Sequence, residues 1–316
     1  MRFQVPALVF LLAAASPGFA SEDIPDQYPQ SVLYSKPVEV IPHVWSAIGA
    51  TAPPSYENSG HNNNLSFIVT GEGVVVVNAG ACTQLAQALH EEIKQVTDEP
   101  VKLVINENGQ GHAMLGNAYW AGQGVPILAQ ADAATEFGDR GPQILAQMRG
   151  YNKDKAEGTV LQGPTETFED EKVIEMGRFR IEVKNLGPAH SPGDVAVWLP
   201  GQSLVIAGDM AFHERLLPIF EDTGTAAWLE SWENFEALEA TYVIPGHGHP
   251  TNMDQVRRYT KDYLVFLRGE IRKLLDEGGG LEDAFYVDQS PYAHLDTFDE
   301  LAKRNAGRVF EQMEFE

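Results

Sequence analysis

The sequence of 316 residues contains a single cysteine, Cys82. One cysteine cannot form a disulfide within the chain, so we expect stability to come from a packed core. Basic residues are also scarce, because 22 Lys and Arg stand against 45 Asp and Glu, for a formal net charge of −23. This charge repels nucleic acid and anionic membranes, so we expect no nucleic-acid partner.

Long apolar runs are absent after the first twenty residues, so we expect no membrane span in the mature chain. Residues 1–20 have the pattern of a secretory signal, with the basic Arg2 followed by an apolar run from Val5 to Ala15. The pattern predicts cleavage near Ala20 and an exported, periplasmic protein. The polar residues 21–37 that follow are expected to form a loosely held arm.

Strands and helices alternate along the rest of the chain. The run Val74–Val77 has no polar alternation, which indicates a strand covered on both faces. Two hairpins are predicted further along the chain. The first pairs Val173–Met176 with Phe179–Lys184, and the second pairs Val195–Leu199 with Leu204–Ala207. Apolar stripes predict helices at Gln84–Val96, Ala226–Leu238 and Gln255–Leu275. Two groups of strands, each preceding helices, predict two mixed sheets layered between helices.

Three polar segments each follow a predicted strand. GPAHSPGD contains His190, VIAGDM contains Asp209, and VIPGHGHP contains His247. Imidazole and carboxylate are the usual protein ligands of zinc and iron, so the three segments together predict a metal site. Each residue taken alone could instead cap a turn or bind loop amides.

These segments, preceded by VVVVNAG and VINENGQGHAMLGN, resemble in their order the metallo-β-lactamase superfamily. The similarity is greatest to its exported SoxH-like and quinoprotein-relay zinc hydrolase branch. The resemblance implies an α/β fold of the layered α+β kind, a four-layer αβ/βα sandwich of two mixed β-sheets flanked by helices. Residues 38–250 would form this domain, and residues 251–316 would add C-terminal helices packed on it.

The resemblance also implies site residues. His190, Asp209 and His247 occupy ligand positions of the family. The family's first motif, His-x-His-x-Asp-His, does not match residues 108–113. Asn108 and Gln110 stand in place of the two leading histidines. His112 stands in place of the acid, and Ala113 in place of the last histidine. An acid that normally braces this loop is replaced by Asn78.

Two hypotheses follow from these departures. In the first, His112, His190, Asp209 and His247 hold one ion, zinc or else iron or manganese. The protein is then an exported hydrolase, in which a hydroxide on the metal attacks a small electrophilic substrate and Asp209 and His112 are catalytic. In the second, the amides satisfy one another and the chain is a non-catalytic binding protein without a metal site.

Other polar residues give weaker indications. The segment of His213, Glu214 and Arg215 is expected to line the mouth of the site, where it could contact substrate. Glu107 could act as a base or an outer ligand, although a solvated turn residue is favoured. His61 is likewise expected in a solvated loop. The sequence indicates neither the particular substrate nor the oligomeric state.

Overall fold

The computed structural model describes residues 23–316, and within them the strands form two mixed sheets. The first sheet has seven strands in chain order: β1 (Val38–Ile41), β2 (Val44–Ala47), β3 (Leu65–Val69), β4 (Val74–Val77), β5 (Val101–Ile105), β6 (Ile127–Gln130) and β7 (Glu166–Phe168). Neighbours from β1 to β4 are antiparallel, and neighbours from β4 to β7 are parallel.

The second sheet has five strands: β8 (Glu171–Met176), β9 (Phe179–Lys184), β10 (Ala196–Leu199), β11 (Leu204–Phe212) and β12 (Tyr242–His247). Its neighbours are antiparallel from β8 to β11, whereas β11 and β12 are parallel. Both predicted hairpins are therefore confirmed, although β11 extends to Phe212 instead of ending at Ala207.

The helices lie outside the sheets. They are α1 (Thr83–Val96), α2 (Gly111–Met114), α3 (Asn117–Gly122), α4 (Ala131–Asn152), α5 (Thr225–Glu236), α6 (Met253–Tyr259), α7 (Lys261–Asp276), α8 (Leu281–Ala284) and α9 (Phe298–Met313). Helix α1 begins at the buried Cys82, whose Sγ accepts the amide of Leu85 at 3.4 Å. Its stripe of Leu85, Leu89 and Ile93 is buried, as the apolar period predicts.

Strand β4 shows how the layers are built. Val75 and Val77 pack into the core between the sheets, which they share with Ile181 of the second sheet. Val74 and Val76 point the other way, into the core shared with α1 and α4. A third core joins the second sheet to α5, α7 and α9. The prediction of two mixed sheets between helices, in a four-layer sandwich, is therefore confirmed.

The predicted helix Gln255–Leu275 is divided into α6 and α7 at Thr260. The Thr260 side chain is fully buried, accepts the amide of Phe212 at 2.9 Å and donates to the Phe212 carbonyl at 3.2 Å. Because a threonine hydroxyl that bonds another strand competes with regular helix geometry, the helix breaks where it is anchored to β11.

The N-terminal segment is packed against the domain. The prediction of a loosely held arm is wrong for its described part, since Leu33 and Tyr34 are buried. The Tyr34 amide donates to Nδ1 of His61 at 3.0 Å. The predicted signal segment, residues 1–20, lies outside the described residues. No helix within residues 23–316 has the length and apolar content needed to cross a bilayer.

The expectation that His61 is solvated is also wrong, because it is fully buried. Its Nδ1 accepts the Tyr34 amide, so its proton lies on Nε2, which donates to the Ala47 carbonyl at 3.3 Å. Burial lowers the pKa of His61 to about 4. Only the neutral ring fits these two partners.

We expect His61 to make the protein less stable in mild acid. The folded pKa of about 4 lies below the unfolded value of about 6.5, so its contribution is fully present above pH 6.5 and is lost as the pH falls. Between pH 7 and pH 5 the free energy of unfolding should fall by about 2 kcal/mol more in the wild type than in His61→Gln. Urea unfolding of both proteins at each pH measures this difference, and equal pH slopes would contradict it.

Candidate metal centre

Residues from three neighbouring parts of the two sheets converge at one edge of the sandwich. Glu107 follows β5 by two residues, and His247 is the last residue of β12. Asp209 lies inside β11 instead of following the strand, because β11 continues through it to Phe212. Since β11 and β12 are adjacent and parallel, their carboxyl ends bring Asp209 and His247 together.

A compact set of donors lies at this edge. One ligand atom each from Glu107, His112 and Asp209 lie within 4.8 Å of one another. The Nε2 of His112 is 3.0 Å from Oε1 of Glu107 and 3.6 Å from Oδ2 of Asp209. Both carboxylates are 2% exposed, so the pair of anions is held together away from solvent.

Two asparagines fix the carboxylates. The Nδ2 of Asn63 donates to Oε1 of Glu107 at 2.9 Å and to Oδ1 of Asp209 at 3.2 Å. The Oδ1 of Asn63 accepts Nδ2 of Asn78 at 2.9 Å, and Oδ1 of Asn78 accepts the Glu107 amide at 3.1 Å. Because a carboxylate can only accept, these contacts determine which way both amides point.

His247 lies between Asp209 and a buried arginine. Its Nε2 is 3.3 Å from Oδ1 of Asp209, and its Nδ1 is 3.4 Å from Nη1 of Arg215. The ring stacks on Phe212, with centroids 4.9 Å apart and an angle of 12° between the planes. Burial, and then the charge of Arg215, lower the pKa of His247 to about 4.

His190 lies apart from the compact donor set, among aromatic side chains. Its Nδ1 is 3.0 Å from Nε2 of Gln110, and its ring packs against Phe212, Phe220 and Trp228 at centroid distances of 5.6, 5.0 and 5.9 Å. Burial lowers the pKa of His190. Of the predicted ligands, His112 and Asp209 belong to the compact donor set, His247 touches it through Asp209, and His190 contacts Gln110 instead.

The remaining residues of the altered motif contribute in different ways. The Nδ2 of Asn108 donates to Oδ2 of Asp209 at 3.4 Å, and its Oδ1 accepts the Gln110 amide at 3.0 Å. Ala113 is buried and offers only its carbonyl, which accepts Nδ2 of Asn106 at 2.6 Å. The altered motif thus supplies structural hydrogen bonds and one imidazole, that of His112.

The charges of the compact set are complementary. Burial acts to lower the pKa of His112, but Asp209 and Glu107 outweigh it, so this pKa lies above its ordinary value. Burial acts to raise the pKa of Asp209, but His112 and His247 hold it well below its usual range. For Glu107, burial has the larger effect and raises the pKa. Of the two acids, Asp209 is therefore the one that ionises more readily.

His112 and Asp209 line a cavity of about 560 Å³. Its walls combine arginine, acidic and apolar side chains, among them Arg140, Arg215, Arg304, Glu136, Glu300, Tyr151 and Phe220. His213 is not among the cavity's lining residues within residues 23–316. Instead, its Nδ1 donates to the His249 carbonyl at 2.9 Å and its ring packs against Tyr259.

Two residues of the site, Glu107 and Asn63, have roles that the sequence analysis did not favour or did not identify. The favoured interpretation of Glu107 as a solvated turn residue is wrong, since it is buried and contacts His112. Its position two residues after β5, a strand that ends in three apolar residues, was the available signal. Asn63 had no such signal, because it comes from a loop far away in sequence. Arg215 belongs to the segment that was expected at the mouth of the site, and it does line the cavity.

Gly208 makes room for Glu107. Its φ is +55°, and a Cβ built there would lie 2.1 Å from Oε2 of Glu107. We expect Gly208→Ala to displace Glu107 and to weaken zinc binding by about tenfold or more, as loss of a supporting contact does at other metal sites. Isothermal titration with zinc measures this effect. Gly201→Ala is a suitable control, since a Cβ at Gly201 would meet nothing within 4 Å. Equal zinc affinity in all three proteins would contradict the role of Gly208.

Comparison with known proteins shows a similarity to one family. A family model described as the metallo-beta-lactamase superfamily matches residues 112–247. The curated metallo-beta-lactamase type 2 of Bacteroides fragilis is 26% identical over 113 residues, which are 34% of this chain and 45% of that protein. The matched region therefore spans less than half of the curated relative.

Solved structures have the same fold. A metallo-beta-lactamase from Pontibacter korlensis superposes with a TM-score of 0.56 at 20% identity, covering 70% of this chain and 94% of the other. A metallo-beta-lactamase from Erythrobacter litoralis gives a TM-score of 0.55 at 16% identity, covering 71% and 93%. At these identities the similarity is one of fold.

Proposed function

We propose, from the metallo-β-lactamase superfamily membership that these comparisons support, that the chain is a metal-dependent hydrolase with a mononuclear site. The superfamily consists in general of hydrolytic metalloenzymes. The observation that carries the proposal is the set of Glu107, His112 and Asp209, whose ligand atoms lie within 4.8 Å of one another beside a cavity. Of the ligands predicted from sequence, the proposal keeps His112 and Asp209 and adds Glu107.

The residues fit a divalent cation. Two carboxylates and one imidazole combine hard and borderline donors, a set suited to zinc and also to iron or manganese. Gly208 leaves space for Glu107, and a Cβ at Gly246 would lie 2.3 Å from Oδ1 of Asp209, so both glycines permit the close approach of the acids. A bound divalent cation would supply Lewis-acid chemistry and make water acidic enough to act as a nucleophile near neutral pH.

The side chains around this set have positioning roles. Asn63 holds Glu107 and Asp209 in fixed orientations by donating to both. Asn108 donates to the other oxygen of Asp209. Because these amides are neutral and already oriented, they fix the acids without competing for the positive charge of an ion. The cavity has room for a small substrate with an electrophilic carbonyl or ester centre.

Turnover by the metal-loaded protein tests this function. The purified chain, loaded with zinc, iron or manganese in turn, is assayed against esters, thioesters, lactams and sulfate esters. We expect hydrolysis of at least one class, lost on chelation and in Asp209→Ala, and retained in His249→Ala, whose side chain is half exposed and pairs with Glu214. Metal-loaded protein that is inert toward every class would argue against a hydrolase.

A second candidate is a non-catalytic binding protein of the same fold. The observation that favours it is the internal hydrogen bonding of the site, in which His112 and Asn63 already satisfy both carboxylates. This candidate predicts that ligands enter the cavity with the same affinity in the presence and absence of a chelator. Affinity that depends on metal would exclude it.

We also propose that the chain is exported to the periplasm and is related to the SoxH-like and quinoprotein-relay branch of the superfamily. The signal pattern of residues 1–20 supports export. Mass spectrometry of the protein from a bacterial periplasmic fraction should give a mature chain that begins near Ser21. An intact N terminus in the cytoplasmic fraction would contradict export.

A further inference from the structure

Arg215 is an unusual component of the cavity wall. It is 5% exposed. Burial has the larger effect on its pKa and lowers it, although four carboxylates lie near enough for their charges to raise it, namely Asp209, Asp296, Asp23 and Glu300. Among the described residues its Nε has no hydrogen-bond partner, and the side-chain hydrogen bond seen there runs from Nη1 to Nδ1 of His247 at 3.4 Å. A buried guanidinium with so few partners is costly to maintain, so its contact with His247 calls for a functional explanation.

The chemistry of this contact determines the tautomer of His247. A guanidinium only donates hydrogen bonds, so Nδ1 of His247 must accept and cannot carry a proton. The proton of the neutral ring therefore lies on Nε2, which faces Oδ1 of Asp209 at a distance of 3.3 Å. Stacking on Phe212 holds the ring in this plane and opposes its rotation.

We infer that Arg215 fixes the neutral ring of His247 with its proton on Nε2, so that His247 orients Asp209 and is not a metal ligand. The inference goes beyond the proposed hydrolase and rests on it only for the ion that Asp209 helps to hold. To ligate an ion through Nε2, the ring would have to move its proton to Nδ1, where it would face a second donor on Arg215. A buried donor facing a donor is unfavourable.

The same contacts give Arg215 and His247 a positioning role. Oδ1 of Asp209 accepts the amide of Asn63 and lies against Nε2 of His247, and Oδ2 of Asp209 faces His112 and Asn108. The contacts of Oδ1 thus determine that Oδ2 is the oxygen directed at the compact donor set. The site then has Glu107, His112 and Asp209 as protein ligands, which leaves the remaining coordination positions to water and substrate.

Nitrogen NMR of the full chain tests the inference without any activity measurement. In ¹⁵N-labelled, metal-free protein, long-range ¹H–¹⁵N spectra should show a protonated Nε2 and an unprotonated Nδ1 for His247, assigned by the loss of its signals in His247→Gln. One equivalent of zinc should shift the ring nitrogens of His112 and leave this pattern in His247 unchanged. A proton on Nδ1, or a zinc-induced shift of Nε2 typical of coordination, would overturn the inference.

Arginine variants provide a second readout. Arg215→Met removes the donor from Nδ1 and frees His247 to ligate, so we expect zinc to bind about tenfold more tightly. Arg304→Met removes a charge from the same cavity without touching His247, and its zinc affinity should change by no more than about twofold because exposed charges are screened. Equal changes in both variants would overturn the inference. If wild type takes up no metal but has the expected tautomer, the hydrolase proposal fails and the tautomer assignment stands.

Discussion

His112→Ala is expected to destabilise the metal-free protein by about 3 to 5 kcal/mol, the usual result of removing one partner from a buried ion pair. Glu107 and Asp209 would keep the amide of Asn63, and Asp209 would keep His247, but neither would retain the cationic ring between them. Two buried carboxylates would then face each other without that charge. Urea unfolding at pH 7 in a chelating buffer measures the loss.

The same variant should lose zinc, because His112 is the one imidazole of the compact donor set. His90→Ala is a matched control. His90 is partly buried and bonds the Tyr119 hydroxyl at 2.9 Å, far from the site, so its loss should cost about 1 kcal/mol and leave zinc binding intact. A cost below about 1 kcal/mol for His112→Ala would contradict the ion pairing described above.

Asn78→Asp, which restores the acid that the family resemblance leads one to expect, should destabilise the protein by about 2 to 4 kcal/mol. The Nδ2 of Asn78 donates to Oδ1 of Asn63. An aspartate would place a second acceptor against that oxygen and turn the Asn63 amide over. The Asn63 carbonyl would then face Glu107 and Asp209, and both acids would lose a donor.

The backbone does not complicate this experiment. Asn78 has a φ of +69°, a conformation that aspartate and asparagine both tolerate, so the change reports charge and hydrogen bonding. We also expect zinc affinity to fall by about 10- to 100-fold, as it does when other outer supports of a metal site are lost. Asn185→Asp is the control, because Oδ1 of Asn185 only accepts an amide and an aspartate can do the same. Stabilisation by Asn78→Asp would show that the site still requires an acid there.

The fold was predictable from the sequence because its signals are local. The unalternating Val74–Val77 indicated a strand buried on both faces, and Leu85, Leu89 and Ile93 lie one helical turn apart. The break between α6 and α7 was not predictable, since it depends on a hydrogen bond from Thr260 to a strand 48 residues away. Likewise, the burial of His61 depends on the packing of the N-terminal segment onto it.

The site was predictable only in part for a similar reason. The polar segments and the family resemblance indicated His112, His190, Asp209 and His247 as candidates. The structure brings three of these together and places His190 against Gln110 instead. The sequence could not identify Glu107 as their partner, because a single glutamate after a strand resembles any solvated turn residue. Nor could the sequence indicate the contact between Arg215 and His247, which depends on the path of the chain after β11 ends at Phe212.

The central claim is that Glu107, His112 and Asp209 hold one metal ion. Equilibrium dialysis of the purified chain and of Glu107→Gln against zinc, followed by elemental analysis, tests it most directly, because glutamine keeps the shape of Glu107 and removes its charge. We predict one zinc per chain in the wild type and a large loss in Glu107→Gln. Two ions per chain, no uptake by the wild type, or full uptake by Glu107→Gln would each contradict the claim.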